Sequence, residues 1–563
     1  MKFIGKLLLT LLLLLVLVIV LLYVLLQTTW ASGWISRWVS DNSEYHVSLG
    51  KINHSLSSPT EISFSDVRLA LANQPEILSA GDVTLGLSWR QITEPRYFDR
   101  LVLRDGSLNL TSPARPLPIK ADLLQLSNMR LISNKDSWKI NAQRVNAGIQ
   151  PWLPSEQHLL GNNAQFQLSA GELTLNDIPA SNVLVQGEIR DDRLFLNDIG
   201  ADFARGQLTG NASRAPDGSW LVDNLRLSSI RMQTSQTLSA FWKDFEQLPK
   251  VKINRADLID ARLQGQDWAF NDLDLTLQNI TFSQGDWQTD DGSLAFNASD
   301  LINGNLHFSD PIVDMTLNQK GIEIKQLSTR WEGGLLRTTG NWTRENHRLQ
   351  LNELAVAALE YTLPENWRAL WMETLPNWLA EVGISRLSTN RNLVIDITPD
   401  FPFQLTALDG YGSNLLLARN HKWGVWAGKL NLNASDATFN KVDVRRPSLT
   451  LEANDGQITF SELSAFTQKG LLEASVNISQ QPQRSFSTTL NGRSVPINIL
   501  QNWGWPELPL QGEGNLQLNL RGQVAADTPF KSTLRGTLTA TTAEGQHVTQ
   551  QMNNGVVAGA TAP

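Results

Sequence analysis

Leu516-Gln517-Leu518-Asn519-Leu520 sets an aliphatic side chain against an amide at every step. Successive side chains of a β-strand point to opposite faces, so the three leucines share one face and Gln517 and Asn519 the other. A helix would scatter the same leucines around its axis. The rhythm recurs in Leu173-Thr174-Leu175, Leu273-Asp274-Leu275-Thr276-Leu277, Leu349-Gln350-Leu351 and Leu430-Asn431-Leu432, with Asn, Gln and Thr outside more often than charges. It predicts antiparallel β-structure in which each strand has one apolar and one wet face. Asp-Gly pairs supply the left-handed backbone of tight hairpins. Leu101-Val102-Leu103-Arg104, Asp105-Gly106 and Ser107-Leu108-Asn109-Leu110 therefore read as two strands across a turn. Asp-Gly at 217/218, 291/292, 409/410 and 455/456, and Asp191-Asp192 between apolar runs, read as further turns.

Helical periodicity is sparse. Leu238, Phe241, Trp242, Phe245 and Leu248 fit a 3.6-residue period closed by Pro249. Pro364 opens a second segment with Trp367, Leu370 and Trp371, and Pro376 a third with Trp378, Leu379 and Val382. Ser494 to Trp503 forms a fourth, with Pro496 near its first turn. Each reads as a short cap over a sheet end or edge. Phe203-Ala204-Arg205-Gly206-Gln207-Leu208, followed by Gly210-Asn211, is echoed by Trp331 to Gly334, Leu336 and Gly340-Asn341, and more faintly by Phe466, Gly470 and Leu472. The glycine after each aromatic reads as a strand bend or bulge. No stretch before about Gly545 reads as a linker. Since single cores stop growing at about 250–300 residues, this much β-structure favours an elongated sheet of similar units.

The start of the chain differs from everything after it. Leu7 to Leu26 is apolar apart from Thr10 and Tyr23 and carries no charge, which as a helix spans about 30 Å, the depth of a bilayer core. Lys2, Lys6 and the terminal amine precede it, and Arg37 is the sole basic residue in the two dozen that follow. The positive-inside rule then puts the N-terminus in the cytoplasm and the rest of the chain across the membrane. A cleaved signal has an apolar region of only about 7–15 residues, so the run reads as a retained anchor. Trp30, Trp34 and Trp38 recur every fourth residue and are candidate membrane-interface residues.

Composition removes several classes of function. The 563 residues include 47 basic and 55 acidic side chains, a net charge of −8 with no basic run beyond the N-terminus, which argues against a nucleic-acid partner. There is no cysteine, hence no disulfide, thiolate zinc site, iron–sulfur centre or thiol nucleophile. The seven histidines are dispersed, and neither a nucleophile elbow nor a phosphate-binding loop occurs. Gly410-Tyr411-Gly412 and Gly512-Glu513-Gly514 begin like dinucleotide fingerprints, but Leu415 and Gln517 replace the third glycine. No catalytic, cofactor or metal residue is expected, and the chain reads as a non-enzyme.

Val47-Ser48-Leu49-Gly50-Lys51-Ile52, Ile62-Ser63-Phe64-Ser65-Asp66-Val67-Arg68-Leu69 and Leu101 to Leu110 follow the short anchor. Near the other end stand Leu510-Gln511-Gly512-Glu513-Gly514-Asn515-Leu516, Leu520-Arg521-Gly522 and Leu534-Arg535-Gly536-Thr537-Leu538. Together these resemble the AsmA-like family of bacterial envelope proteins. The resemblance implies an inner-membrane anchor and a periplasmic, groove-shaped β-sheet with an apolar interior. Larger members are implicated in moving phospholipid towards the outer membrane, and the name-giving member in outer-membrane protein assembly. The expected fold is mainly β: a single N-terminal transmembrane helix, then an elongated, curved antiparallel β-sheet groove with a few short capping helices. Residues 1–40 would form the anchor and juxtamembrane helix, 41–548 the groove (family-like over about 41–130 and 405–548), and 549–563 a flexible tail. Expected partners are the inner membrane and phospholipid. The alternative is a scaffold or modulator that meets outer-membrane assembly proteins. Candidate lipid-facing residues are Leu273, Leu275, Leu277, Leu430, Leu432, Leu516, Leu518 and Leu520.

Overall fold

The computed structural model describes residues 2–71, 74–110, 119–135, 138–155, 160–176, 178–246, 249–524 and 529–558. Strands take up 65% of the chain and helices 11%. The expectation of a mostly β chain with one apolar N-terminal helix and few short ones therefore holds. Helix α1 (Lys2–Leu26) is the apolar run, and α2 (Thr29–Asp41) follows it after a two-residue break. The chain divides into two compact units: residues up to Gln264 together with Leu277–Asp286, and Gly265–Thr276 together with Trp287 onwards.

Within the first unit, strand after strand pairs with its chain neighbour from Ser58–Leu71 to Trp220–Ser228. The expectation of purely antiparallel pairing is corrected at a few places. Tyr97–Asn109 lies parallel to Lys120–Lys135, and Trp220–Ser228 and Arg231–Gln233 lie parallel to Val251–Gln264. In the second unit Arg348–Ala357 and Glu360–Thr362 lie parallel to Glu381–Asp396. A parallel step needs a crossover that returns the chain to the same sheet end. Two of the crossovers carry the helices α3 (Leu238–Glu246) and α4 (Trp367–Met372), which sequence periodicity located.

The other two expected helices do not form. Leu379 donates its N–H to Pro376 in a single turn, and the chain enters a strand at Glu381. Leu379 and Val382 are apolar because they pack against Ala418, not because they share a helix face. Val495 and Pro496 still pair with Gly514 and Glu513, so only Ile499–Trp503 is left to coil, as a 3-10 turn. Of the expected tail, His547–Asn553 and Val556–Val557 are strands, and 559–563 lie outside the described residues.

Asp105-Gly106 is not a hairpin. It lies within the unbroken strand Tyr97–Asn109, with Asp105 at φ 53 and Gly106 opposite Ala80. Asp409-Gly410 likewise sits inside Phe403–Arg419, where the Asp409 carboxylate accepts the N–H of Arg391 at 2.6 Å. Arg391 is itself a left-handed bulge residue at φ 53, so the carboxylate takes up a donor that the interrupted ladder leaves over. Asp191-Asp192 does close a hairpin, with φ 50 and 61, the pair of left-handed residues that a type I′ turn requires.

The aromatic–glycine echo marks hairpins of the same kind. Ala204-Arg205 (φ 45 and 67) and Glu332-Gly333 (φ 45 and 74) are turns, each closed by the aromatic opposite the glycine: Phe203 to Gly206, Trp331 to Gly334. A third strand then passes so close that a Cβ on Gly206 would lie 2.2 Å from the Ser228 carbonyl oxygen, and one on Gly334 2.5 Å from the Leu359 Cα. That strand bulges at Ser229 or Ala358, φ 53 and 55, and buries the next residue, Ile230 or Leu359. The glycines are thus closely approached hairpin closures, not bulges.

Crossover α4 is tied down by Asp396, whose side chain is almost fully buried. Its carboxylate accepts from the Trp367 indole at 3.0 Å and from the N–H of Thr398 at 2.9 Å, with the Arg368 guanidinium 3.6 Å away. Burial pushes the carboxyl up, but the hydrogen bonds of Thr398 and Trp367 and the Arg368 charge outweigh it, so the pKa lies below the ordinary 3.8.

Two outcomes follow from this packing. Gly206→Ala should lower stability by about 1–3 kcal/mol, seen as a lower melting temperature and faster proteolysis. Gly200→Ala, where a Cβ would meet nothing within 4 Å, should leave both unchanged. The Asp396 contribution should be present above about pH 4 and lost as the pH falls through its lowered pKa. Asp396→Asn should therefore flatten the acid limb of a melting-temperature profile, and an unaltered acid limb would refute the role given to this carboxylate.

Candidate functional site

Among the described residues no cluster of three or more His, Asp or Glu side chains could hold a metal ion. What they build is an apolar face. Residues directly opposite in a ladder point to the same side, so the register can be followed from strand to strand. In the first unit Phe64 faces Val83, then Leu103 and Leu126 follow in line. The row continues through Ala147, Leu168 and Val185 and on through Ile199, Gly210, Leu225 and Ala256. A parallel row starts at Ile62 and passes Leu85, Leu101 and Leu124, then Ile149, Phe166 and Gly187. It reaches Leu196, Ala212, Val222 and Ile253.

A plain period of two could not keep these strands in phase along their whole length. Asp66, Asp105 and Asn128, at φ 50 to 53, insert the extra residue that puts Phe64 and Val67, Leu103 and Gly106, and Leu126 and Met129 on one face.

In the second unit the register links leucines that were separate in the sequence. Leu430 lies between Gly412 and Leu451, and the row goes on to Phe460, Val476, Thr488 and Leu520. Leu432 lies between Gly410 and Leu449, and its row goes on to Leu463, Ala474, Leu490 and Leu518. Four candidates therefore fall on two adjoining rows. Leu516 lies on the next row, between Gly492 and Ala540. Leu273 is buried and Leu275 and Leu277 half-buried; the rows traced here do not include them.

Coverage of the face changes along the chain. In the first unit Leu103, Leu126 and Val145 belong to a buried cluster with Trp152. Every apolar side chain on Arg193–Phe203, Gly206–Arg214 and Trp220–Ser228 is only half-buried. In the second unit Leu449, Leu463, Ala474 and Leu490 are half-buried, whereas Leu518 and Leu538 are enclosed under Ile497, Leu500, Trp505 and Leu508. The Trp505 indole reaches the end of that row, donating to Gln550 Oε1 at 2.8 Å. The face is thus a closed core at these places, with a smaller buried cluster at Leu451, Ala453 and Ile458, and it is left half-buried over 193–228 and at Leu432 and Leu463.

Helix α2 joins the apolar helix to the sheet. Ser36 and Ser40 accept the N–H groups of Leu49 and Val47 at 3.1 and 3.0 Å, and Ser32 donates to Gly50. These serines recur every fourth residue, a signal that sequence reading passed over. The tryptophans stand two residues out of phase, about 200° around the helix. Trp30, Trp34 and Trp38 accordingly face outward, 68, 57 and 58% exposed. Tyr23 and Gln27 both donate to the His54 carbonyl, at 3.0 and 3.1 Å.

No family model and no solved structure matches the chain. A curated relative does: the chain is 54% identical over 557 residues to the AsmA family protein YicH of Escherichia coli (strain K12), covering 99% of this chain and 98% of that one. Identity at this level over almost the full length of both proteins, with an apolar N-terminal helix leading into a β-ladder with one greasy face, shows that the chain belongs to the AsmA family.

Proposed function

We propose that this membrane-anchored envelope protein holds its bulk in the periplasm and uses the open parts of the apolar face to bind or conduct phospholipid between the inner and outer membranes. The observation that supports this reading is the set of apolar row positions left half-buried, as at Leu225, Leu432 and Leu463. A soluble core would normally cover such rows with a second layer. Each buried methylene is worth about 0.8 kcal/mol, so an acyl chain laid along a row would be sheltered without any specific polar contact. Headgroups would stay in water. The elongated groove belongs to this proposal.

A photocrosslinking residue at Leu225, Leu432 or Leu463 should capture phospholipid in cells, and one at Gln517, on the opposite face, should not. Leu463→Asp should cost about 1–2 kcal/mol, leave a protease-resistant protein and abolish lipid adducts along its row. Leu518→Asp, inside the enclosed end, should cost several kcal/mol and leave little folded protein. Stoichiometric capture of an outer-membrane assembly protein without lipid would replace the conduit with the scaffold reading. For topology, a reporter active only in the periplasm should work when fused after Leu301, and a cytoplasmic one should stay silent. The reverse pattern would remove the basis for a periplasmic function.

A further inference from the structure

The polar face of the second unit, opposite the leucine rows, carries a concavity of about 760 Å³ lined by Asn477, Ser487, Arg521, Gln523, Thr533 and Arg535, among others. Arg521 and Arg535 lie directly opposite each other on neighbouring strands, and Ser487 faces Arg521 from the other side. Opposed ladder residues have Cα atoms about 4.5–5.5 Å apart, a spacing at which like charges destabilise a sheet. Three other cations of this region are neutralised: Arg419 by Asp455 at 2.8 Å, Lys469 by Glu513 at 3.0 Å and Arg493 by Glu473 at 2.8 Å. Among the described residues Arg521 and Arg535 have no such carboxylate, and Arg535 reaches only the Asn554 amide oxygen at 3.4 Å. In a chain of net charge −8, two adjacent guanidiniums with no carboxylate partner among the described residues stand out.

We infer that Arg521 and Arg535 form an anion site that takes a phosphate group. A carboxylate has two oxygens, which one guanidinium fork can satisfy. A phosphate mono- or diester presents its oxygens in a tetrahedron and can engage both forks at once, with Ser487 as a hydroxyl donor nearby. The inference does not depend on the conduit, because the site is on the other face. The phosphate could belong to a phospholipid headgroup or to a soluble phosphate ester, and the chemistry at the arginines is the same for both.

The test uses the full-length protein in an uncharged detergent, titrated with glycerol phosphate at constant ionic strength and followed by calorimetry and thermal melting. Glycerol phosphate should bind and raise the melting temperature. Arg521→Gln and Arg535→Gln should each weaken binding by about tenfold or more, the loss expected for one charge-assisted contact. The double variant without ligand should melt no lower than the parent, because the repulsion is relieved. Arg419→Gln, the same charge change at a paired site, should leave binding intact. Equal binding by parent and double variant, or no binding by the parent to either glycerol phosphate or the lipid probe below, would overturn the site. Short-chain phosphatidylglycerol separates the sources. Binding at least tenfold tighter than glycerol phosphate and still dependent on both arginines assigns the site to lipid; equal affinity assigns it to a soluble ester.

Discussion

A β-ladder has a side-chain period of two, and a slip of one residue sends an entire apolar set to the wrong face. Everything else in this protein depends on holding that phase across many strands. Neighbouring strands do so by resetting together. Asp66, Asp105 and Asn128 are left-handed at nearly the same level of their strands, with Gly81 level with them on the strand between Asp66 and Asp105, so the rows on either side of the bulges stay in line. Short polar side chains tolerate this backbone better than branched ones, which is why Asp and Asn recur there. Side chains on the adjacent strand then take up the displaced amides. Asn146 accepts from Asn128, Asp409 from Arg391 and Asn515 from Ser494. The polar residues between the leucines are therefore part of the ladder's hydrogen bonding as well as its wet surface.

The same constraint separates what could be read from the sequence from what could not. Leu-polar-Leu alternation reports a single strand, and the leucines of Leu430-Asn431-Leu432 and Leu516-Gln517-Leu518 do share one face. Joining them needs the register of the strands between, where Thr488 occupies a row position that looks polar in the sequence. Asp-Gly was misread at 105/106 for a related reason. The pair encodes a left-handed residue, and only the partner strand decides whether that residue closes a hairpin or bulges a ladder. Parallel crossovers were invisible because strand direction leaves no mark on alternation. The serines of α2 were visible at a spacing of four, but the tryptophans at the same spacing are the louder signal.

Closed and open stretches of the apolar face place different demands on mutation. Where Trp505 and Leu508 cover Leu518, stability and burial coincide, and a polar substitution is felt as unfolding. Where Leu432 and Leu463 are only half-buried, stability rests mainly on the backbone ladder and little on any one side chain. An apolar residue can persist at such a position because of what it touches outside the fold. Strands with this property make the ladder a support for a surface instead of a container for a core.

The hydrogen bonds at the foot of the first unit link bilayer thickness to orientation. A helix longer than the local hydrocarbon depth accommodates the mismatch by tilting. A flexible linker would absorb that tilt, but here Tyr23 and Gln27 grip the His54 carbonyl and three serines of α2 hold the backbone between Val47 and Gly50. A tilt of the apolar helix is passed to the first strands as a change in the angle at which they leave the bilayer. Lipid composition thereby becomes a mechanical input to the sheet, delivered through five side chains.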